Sequence, residues 1–140
     1  MGHYKIYDDT VQESAEVKAE ESSEGVKFDG DKVRTDLYPP DAYEMISQVY
    51  TFGAKKYSAH NWSKGMDWSR LIGAAERHLL AFKKGEDLDP ESGLPHLAHL
   101  GCCISMLLSF QARKDMDKFD DRQKLDLNDF YKNATGKGTE

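Results

Sequence analysis

Cysteine is scarce in this chain: there are two, Cys102 and Cys103, side by side. A disulfide framework is therefore excluded, and a reducing, cytosolic setting is favoured. Adjacent cysteines on a helix point about 100° apart, so joint chelation of one zinc ion is poor and buried small residues are the better reading. No apolar run approaches the roughly 18 residues that a membrane span needs. Met1 to Asp9 lacks the charged-then-apolar plan of a signal peptide. Basic residues fall short of acidic ones, 19 against 25, leaving a net charge of −6 and a pI near 5.4. That balance argues against bulk nucleic-acid binding, which rests on many Lys/Arg–phosphate contacts. Strand signals are weak and internal repeats are absent. No glycine-rich phosphate loop appears. The nearest candidate, Gly136-Lys137-Gly138, sits in the tail with no strand before it. Nucleophilic Ser/His/Asp spacing is likewise missing.

What is present is one domain's worth of chain, 140 residues, or one domain with tails. Hydrophobic residues make up 39% and charged residues 31%, with a mean hydropathy of −0.73. A core must therefore come from concentrated apolar positions. Composition divides the chain into an acidic, Ser/Glu-rich segment over 1–24, expected to be mobile, a core over 25–113, and a charged tail over 114–140. Residues 25–40 read as an ordered arm or hairpin ending at Pro39-Pro40. A short helix is expected at Lys124–Tyr131, and a frayed end from Asn133 to Glu140.

Three helices are predicted within the core. The first starts after Pro40 and runs from about Asp41 to Tyr57, with Ala42, Met45, Ile46, Val49, Phe52 and Gly53 on one arc. Lys56 falls inside that arc. The second runs from Asp67 or Ser69 to Lys84 and stops at Gly85, with Leu71, Ile72, Ala75, Leu79 and Phe82 as its stripe. The third begins near Pro95 and reaches about Arg113. Leu97, Leu100, Cys103, Ile104, Leu107 and Phe110 are its predicted inner face. The fold class is all-α, an antiparallel helical bundle joined by short loops. A three-helix core this small exposes apolar edges, so completion by oligomerisation, as a dimer or larger, is expected.

Polar functional groups are densest between the second and third helices: Glu76, Arg77 and His78, the acidic loop Gly85–Gly93, then His96 and His99. The last two are three apart and share a helical face. Imidazoles at the start of an apolar stripe need partners, and the acidic loop can supply them. A mixed imidazole–carboxylate set suits Mn²⁺, Co²⁺, Zn²⁺ or Fe, whereas carboxylates alone suit Mg²⁺. His78, His96, His99 and Glu76 are the candidate metal ligands. Glu76, Asp87 and Glu91 are the candidates for proton transfer. The competing reading makes these core histidines and solvated turn acids, with Asp89-Pro90 and Ser92-Gly93 as turn chemistry. Lys27, Lys32, Arg34 and Lys56 are candidate phosphate contacts. Tyr57 and Trp62 could stack on a base while Asn61 reads its edge, although Trp62 and Trp68 serve equally as packing residues.

The stretch Lys27-Phe28-Asp29-Gly30-Asp31-Lys32-Val33-Arg34-Thr35-Asp36-Leu37-Tyr38-Pro39-Pro40, with Gly53-Ala54-Lys55-Lys56-Tyr57, Asn61-Trp62, Gly85-Glu86-Asp87, Glu91-Ser92-Gly93, His96 and His99, resembles a family common in bacteriophages. It is the dATP/dGTP diphosphohydrolase family of the MazZ type, similar to the MazG-like all-α nucleoside triphosphate pyrophosphohydrolases. The resemblance covers about residues 26–112. It implies an enzyme of nucleotide-pool control that cuts a purine deoxynucleoside triphosphate between the α and β phosphates, releasing the monophosphate and pyrophosphate. A divalent metal (Mg²⁺, Mn²⁺ or Co²⁺), a homo-oligomer without nucleic-acid or membrane partners, and a location in the host cytoplasm come with it. MazG-like enzymes hold Mg²⁺ with Glu-x-x-Glu and Glu-x-x-Asp pairs; here His96-Leu97-Ala98-His99 stands where an acidic pair would. Two alternatives remain: a metal phosphohydrolase of the HD type releasing triphosphate or phosphate, although no His-Asp dipeptide occurs, and a nucleotide-binding helical module without catalysis.

Overall fold

A computed structural model describes residues 23–128. The acidic segment through residue 22, the tail from residue 129 with its Gly136-Lys137-Gly138, and the latter part of the expected helix at 124–131 lie outside the described residues. The chain divides into two compact units at Pro39/Pro40. In the first, Lys32 N–H donates to the Asp29 carbonyl, and a 3₁₀ turn covers Thr35–Leu37. A hairpin ladder is absent among its described residues, and their side chains are exposed.

The second unit carries three α-helices among the described residues: α1 (Pro40–Lys56), α2 (Trp68–Lys83) and α3 (His96–Ala112). Each boundary has a local cause. Pro40 opens α1 because a first-turn residue needs no N–H partner. Gly85, at φ 93°, ends the α2 region in a conformation that side chains resist. Pro95 sits just before α3. α2 is capped from a distance: Asp121 accepts both the Ser69 N–H, at 2.8 Å, and the Ser69 hydroxyl. That carboxylate satisfies an N-terminal donor that no nearby side chain reaches.

Two core clusters fix the packing. Trp68 and Leu71 of α2 meet Phe110 of α3 and Met116 of a following 3₁₀ turn. At the other end of the same pair, His78 meets His96, so α2 and α3 run antiparallel. Val49 of α1 packs with Ala98 and Cys102 of α3. Ile46 lies against Gly101 and the Tyr50 hydroxyl reaches Ser105 at 2.6 Å, so α1 and α3 run in the same direction. A Cβ on Gly101 would stand 2.7 Å from Ile46 Cδ1, so the close approach of α1 depends on that glycine. Gly65, at φ 88°, leaves room for Phe119 and Met116 in the same way.

The buried face of α3 keeps Cys103 and Phe110 of the predicted set but is shifted toward Ala98 and Cys102. Ala98, Cys102, Cys103 and Phe110 are buried, whereas Leu97 and Ile104 are about half exposed. Between-helix fit selected the small residues for the α1 side. Among the described residues there is no strand, and Leu88 and Pro95 form an isolated antiparallel bridge. No helix among the described residues is long and apolar enough to cross a membrane.

Burial pushes the Cys102 thiol up to about 12 and raises Cys103 as well. Both thiols are therefore expected to stay unmodified by a charged disulfide reagent in native buffer near neutrality, and to react stoichiometrically in denaturant. Thiol titration by absorbance checks this; rapid native reaction of either cysteine would show that the α1–α3 contact is open.

Candidate functional site

The site is built where the loop Lys84–Pro95 returns the chain from α2 to α3. The loop folds back on itself through backbone bonds: Asp89 N–H to the Leu94 carbonyl at 2.8 Å, Gly93 N–H to the Asp89 carbonyl at 2.7 Å, and His96 N–H to the Asp87 carbonyl at 2.9 Å. Gly93 adopts φ 70°, which only a glycine takes readily. The result turns Asp89 inward while Asp87 and Glu91 stay exposed.

Three imidazoles converge there. His78 Nδ1 and His96 Nδ1 are 2.9 Å apart, so one of them carries the shared proton. The His78 ring stacks on His99 with centroids 4.5 Å apart and planes 12° apart. Asp89 Oδ2 accepts from the Ser92 N–H and from the Ser92 hydroxyl, each at 3.0 Å, and lies 3.7 Å from His99 Nε2. His96 is buried, and its Nε2 has no hydrogen-bond partner; Glu86 Oε2 stands 3.8 Å away, beyond hydrogen-bond reach.

Burial holds the His78 imidazole below its ordinary value, helped by the His99 ring beside it. Burial also lowers His99, outweighing the opposing pull of Asp89. Asp89 shows the reverse balance. Desolvation alone would raise its carboxyl, but the Ser92 bonds and the two histidines hold it below the usual carboxylate range. Neutral imidazoles beside an ionised carboxylate are the protonation states that a cation requires of its ligands. Ligand atoms of His78, Asp89 and His96 all lie within 4.8 Å of one another. This donor set, with an unsatisfied buried ring nitrogen among it, fits a divalent ion of the Mn²⁺ to Zn²⁺ type.

His78, Asp89 and His99 line an open cleft of about 900 Å³. Lys56, Tyr57, Asn61, Trp62, His78, Asp89, Glu91 and His99 all line it. Lys56 Nζ is 2.5 Å from Glu91 Oε1, and it lies 5.7 Å from the centre of the Tyr57 ring. Trp62 meets Tyr50 edge-on at 6.0 Å and Phe110 at 6.3 Å, so it both walls the cleft and packs the core. Glu76 is exposed on α2, and Asp87 contributes its backbone carbonyl. Neither lines the cleft. Lys27, Lys32 and Arg34 belong to the first unit, where Lys27 approaches Asp29 at 3.7 Å and Arg34 pairs with Asp36 at 2.6 Å.

Sequence reasoning did not single out Asp89, Ser92 or Glu86. For the first two a signal existed: Asp89-Pro90-Glu91-Ser92 has an Asx-turn acid followed three residues later by a hydroxyl, a local motif that draws the acid onto the backbone.

An all-helical bundle with a histidine–carboxylate centre on an open cleft is thus the class that fold and site define. The chain belongs to the dATP/dGTP diphosphohydrolase family: residues 22–122 match the family described as dATP/dGTP diphosphohydrolase, N-terminal. A curated relative, the dATP/dGTP diphosphohydrolase of Salmonella phage PMBT28, is 34% identical over 99 residues, covering 71% of this chain and 33% of that protein. The chain thus spans about a third of the length of the curated relative it matches. No solved structure matches it.

The lowered histidines carry a pH consequence. The unfolded state takes up their protons first, near its ordinary value of about 6.5, so stability falls as pH drops through that value and is retained above it. In metal-free protein the urea midpoint should therefore decrease between about pH 7.5 and pH 5.5. The decrease should shrink in a His78→Gln/His99→Gln variant, and an unchanged slope would place the rings in water.

Proposed function

We propose that this protein hydrolyses dATP or dGTP to the deoxynucleoside monophosphate and pyrophosphate, with a divalent cation as cofactor, and so acts on the nucleotide pool of the host cytoplasm. The observation that carries this reading is convergence. Of the cation-competent cluster of His78, Asp89 and His96, His78 and Asp89 line the same cleft as Lys56, Tyr57, Asn61 and Trp62, and His96 is buried beside them. The family match and the relative's name support it.

His78, His96 and Asp89 would hold the cation, with His99 beside them. When bound, the cation would neutralise phosphate charge and lower the pKa of an attacking water. The remaining steps belong to the chain's own groups. Lys56 exchanges Glu91 for a phosphate oxygen, which keeps its charge paired throughout. Glu91, released at that moment and already lining the cleft, takes the proton of the attacking water. Tyr57 and Trp62 flank the base, and Asn61 hydrogen-bonds its edge. Lys27, Lys32 and Arg34, in the first unit, remain candidate phosphate contacts, and the cleft is lined without them. Glu76 and Asp87, exposed and outside the cleft lining, are the weaker candidates for metal or proton duty.

Incubation with each dNTP and Mg²⁺, Mn²⁺ or Co²⁺, followed by chromatography, should yield monophosphate and pyrophosphate. Triphosphate or inorganic phosphate as the product would indicate HD-type chemistry instead. Binding without turnover would indicate a nucleotide-binding module. Asp89→Asn should lower turnover by at least about 100-fold, since even groups behind metal ligands cost about 10–100-fold. The same variant should lose the rise in melting temperature that Mn²⁺ or Co²⁺ gives the native protein. A full metal-induced rise in Asp89→Asn would remove this carboxylate from the cation's ligands.

A homo-oligomer is part of the same proposal. Leu79, Leu80 and Phe82 on α2 and Leu97, Ile104 and Leu108 on α3 are between 41% and 61% exposed, more apolar surface than two helices of a monomer leave uncovered without cost. Sedimentation equilibrium should give a mass of at least twice 15.9 kDa, and Leu108→Glu should reduce it. A monomer across the accessible concentration range would overturn this.

A further inference from the structure

The hydroxyl of Ser92 has three neighbours. Its Oγ lies 3.0 Å from Asp89 Oδ2, 2.7 Å from His99 Nε2 and 3.2 Å from the Leu94 backbone nitrogen. A serine hydroxyl has one proton to give and two lone pairs to receive with. The Leu94 N–H can only donate, so it takes one lone pair. An ionised carboxylate can only accept, so the hydroxyl proton goes to Asp89. One lone pair remains, and only an N–H on His99 Nε2 can fill it. The opposite choice, with the hydroxyl donating to His99, would set Asp89 Oδ2 against an oxygen lone pair at 3.0 Å in a part-buried place. The count closes in one way only.

We infer that Ser92 is a positioning residue that fixes His99 as the Nε2–H tautomer, leaving Nδ1 as the only basic atom of that ring. Asp89 has two tasks in this arrangement. Its Oδ2 orders the Ser92 hydroxyl, and through it the proton on His99. The carboxylate's other oxygen makes none of the Ser92 contacts and stays available to the cation cluster. One loop of four residues, Asp89 to Ser92, thus connects the charge of the site to the proton inventory of an imidazole on α3. Orientation of a histidine through its second ring nitrogen is the usual way a protein decides which nitrogen faces a cation or a proton. Here a serine hydroxyl, ordered by a carboxylate, fills the place that a carboxylate or carbonyl commonly takes. The role of Ser92 in turnover rests on the hydrolase reading above; the tautomer itself does not.

The experiment is proton–nitrogen correlation spectroscopy on the full-length, ¹⁵N-labelled, metal-free protein near neutral pH, with His99 assigned by its absence in His99→Gln. A ring proton bonded to His99 Nε2 is expected, protected from exchange with water by its hydrogen bond to Ser92. Ser92→Ala should abolish that protection, and Ser92→Thr, which keeps the hydroxyl, should restore it. A proton found on Nδ1 in the native protein overturns the inference, and so does an equally protected Nε2 proton in Ser92→Ala. Should Ser92→Ala fail to fold, the native spectrum together with Ser92→Thr still decides. Turnover forms a separate arm. Ser92→Ala should lower kcat about 10–100-fold, as loss of an orienting partner does, with Ser92→Thr recovering most of it. If the native protein turned over no nucleotide but showed the protected Nε2 proton, the hydrolase reading would fail while the tautomer assignment stood.

Discussion

The site depends on how the loop between α2 and α3 satisfies polar atoms that packing has taken out of water. His96 is almost wholly buried, and His78 and His99 are partly so. Burial of a polar ring without partners costs on the order of 1–3 kcal/mol. The chain meets this demand with groups close by in sequence: Ser92 and Asp89 for His99, and the two facing Nδ1 atoms for His78 and His96. One atom, His96 Nε2, is left over. A buried ring nitrogen left unmatched beside these paired groups is a place where a ligand can contribute to the balance.

The helices were largely legible in the sequence, and for physical reasons. Pro40, Gly85 and Pro95 act on the backbone whatever surrounds them, so the predicted starts and stops lie within a residue or two of the observed ones. The shared face of His96 and His99 was equally readable, since spacing on a helix fixes it, whereas the approach of His78 is a property of the contact between helices. The inner face of α3 was legible only in part. Almost every position from Leu97 to Leu108 is apolar or small, so periodicity has no polar side to measure against. Gly101 and Ala98 decided the matter by letting α1 come close, and that is a property of the contact between helices. The inward turn of Asp89 escaped for a related reason. Asp87, Asp89 and Glu91 are equivalent as composition, and the backbone bonds of the loop alone distinguish them.

The identity of the donors has a consequence for chemistry. A site of four acidic groups binds Mg²⁺ well because hard oxygens match a hard ion. The set of His78, Asp89 and His96 carries less negative charge and softer nitrogen donors, so a cation held there would be of the Mn²⁺, Co²⁺ or Zn²⁺ type. It also changes the pH range in which ligands are ready. Carboxylates are ionised well below neutrality, whereas imidazoles must lose a proton first. Burial of His78 and His99 offsets that difference by holding both rings neutral at physiological pH.

That same burial sets a limit on how the substrate can be received. Under the proposed reading, a triphosphate would bring several negative charges to a cleft already lined by the Asp89 carboxylate. Without a cation the two would repel, and Lys56 on the cleft lining is already paired with Glu91. Lys56, Lys64 and Arg70 line the cleft, and three positive charges do not neutralise Asp89, Glu91 and a triphosphate together. Under the proposed hydrolase reading, charge balance therefore favours cation binding at the histidine cluster before or with the nucleotide, and displacement of Glu91 as Lys56 turns to phosphate. The order of binding follows from electrostatics in a confined space, where unpaired charge is most costly.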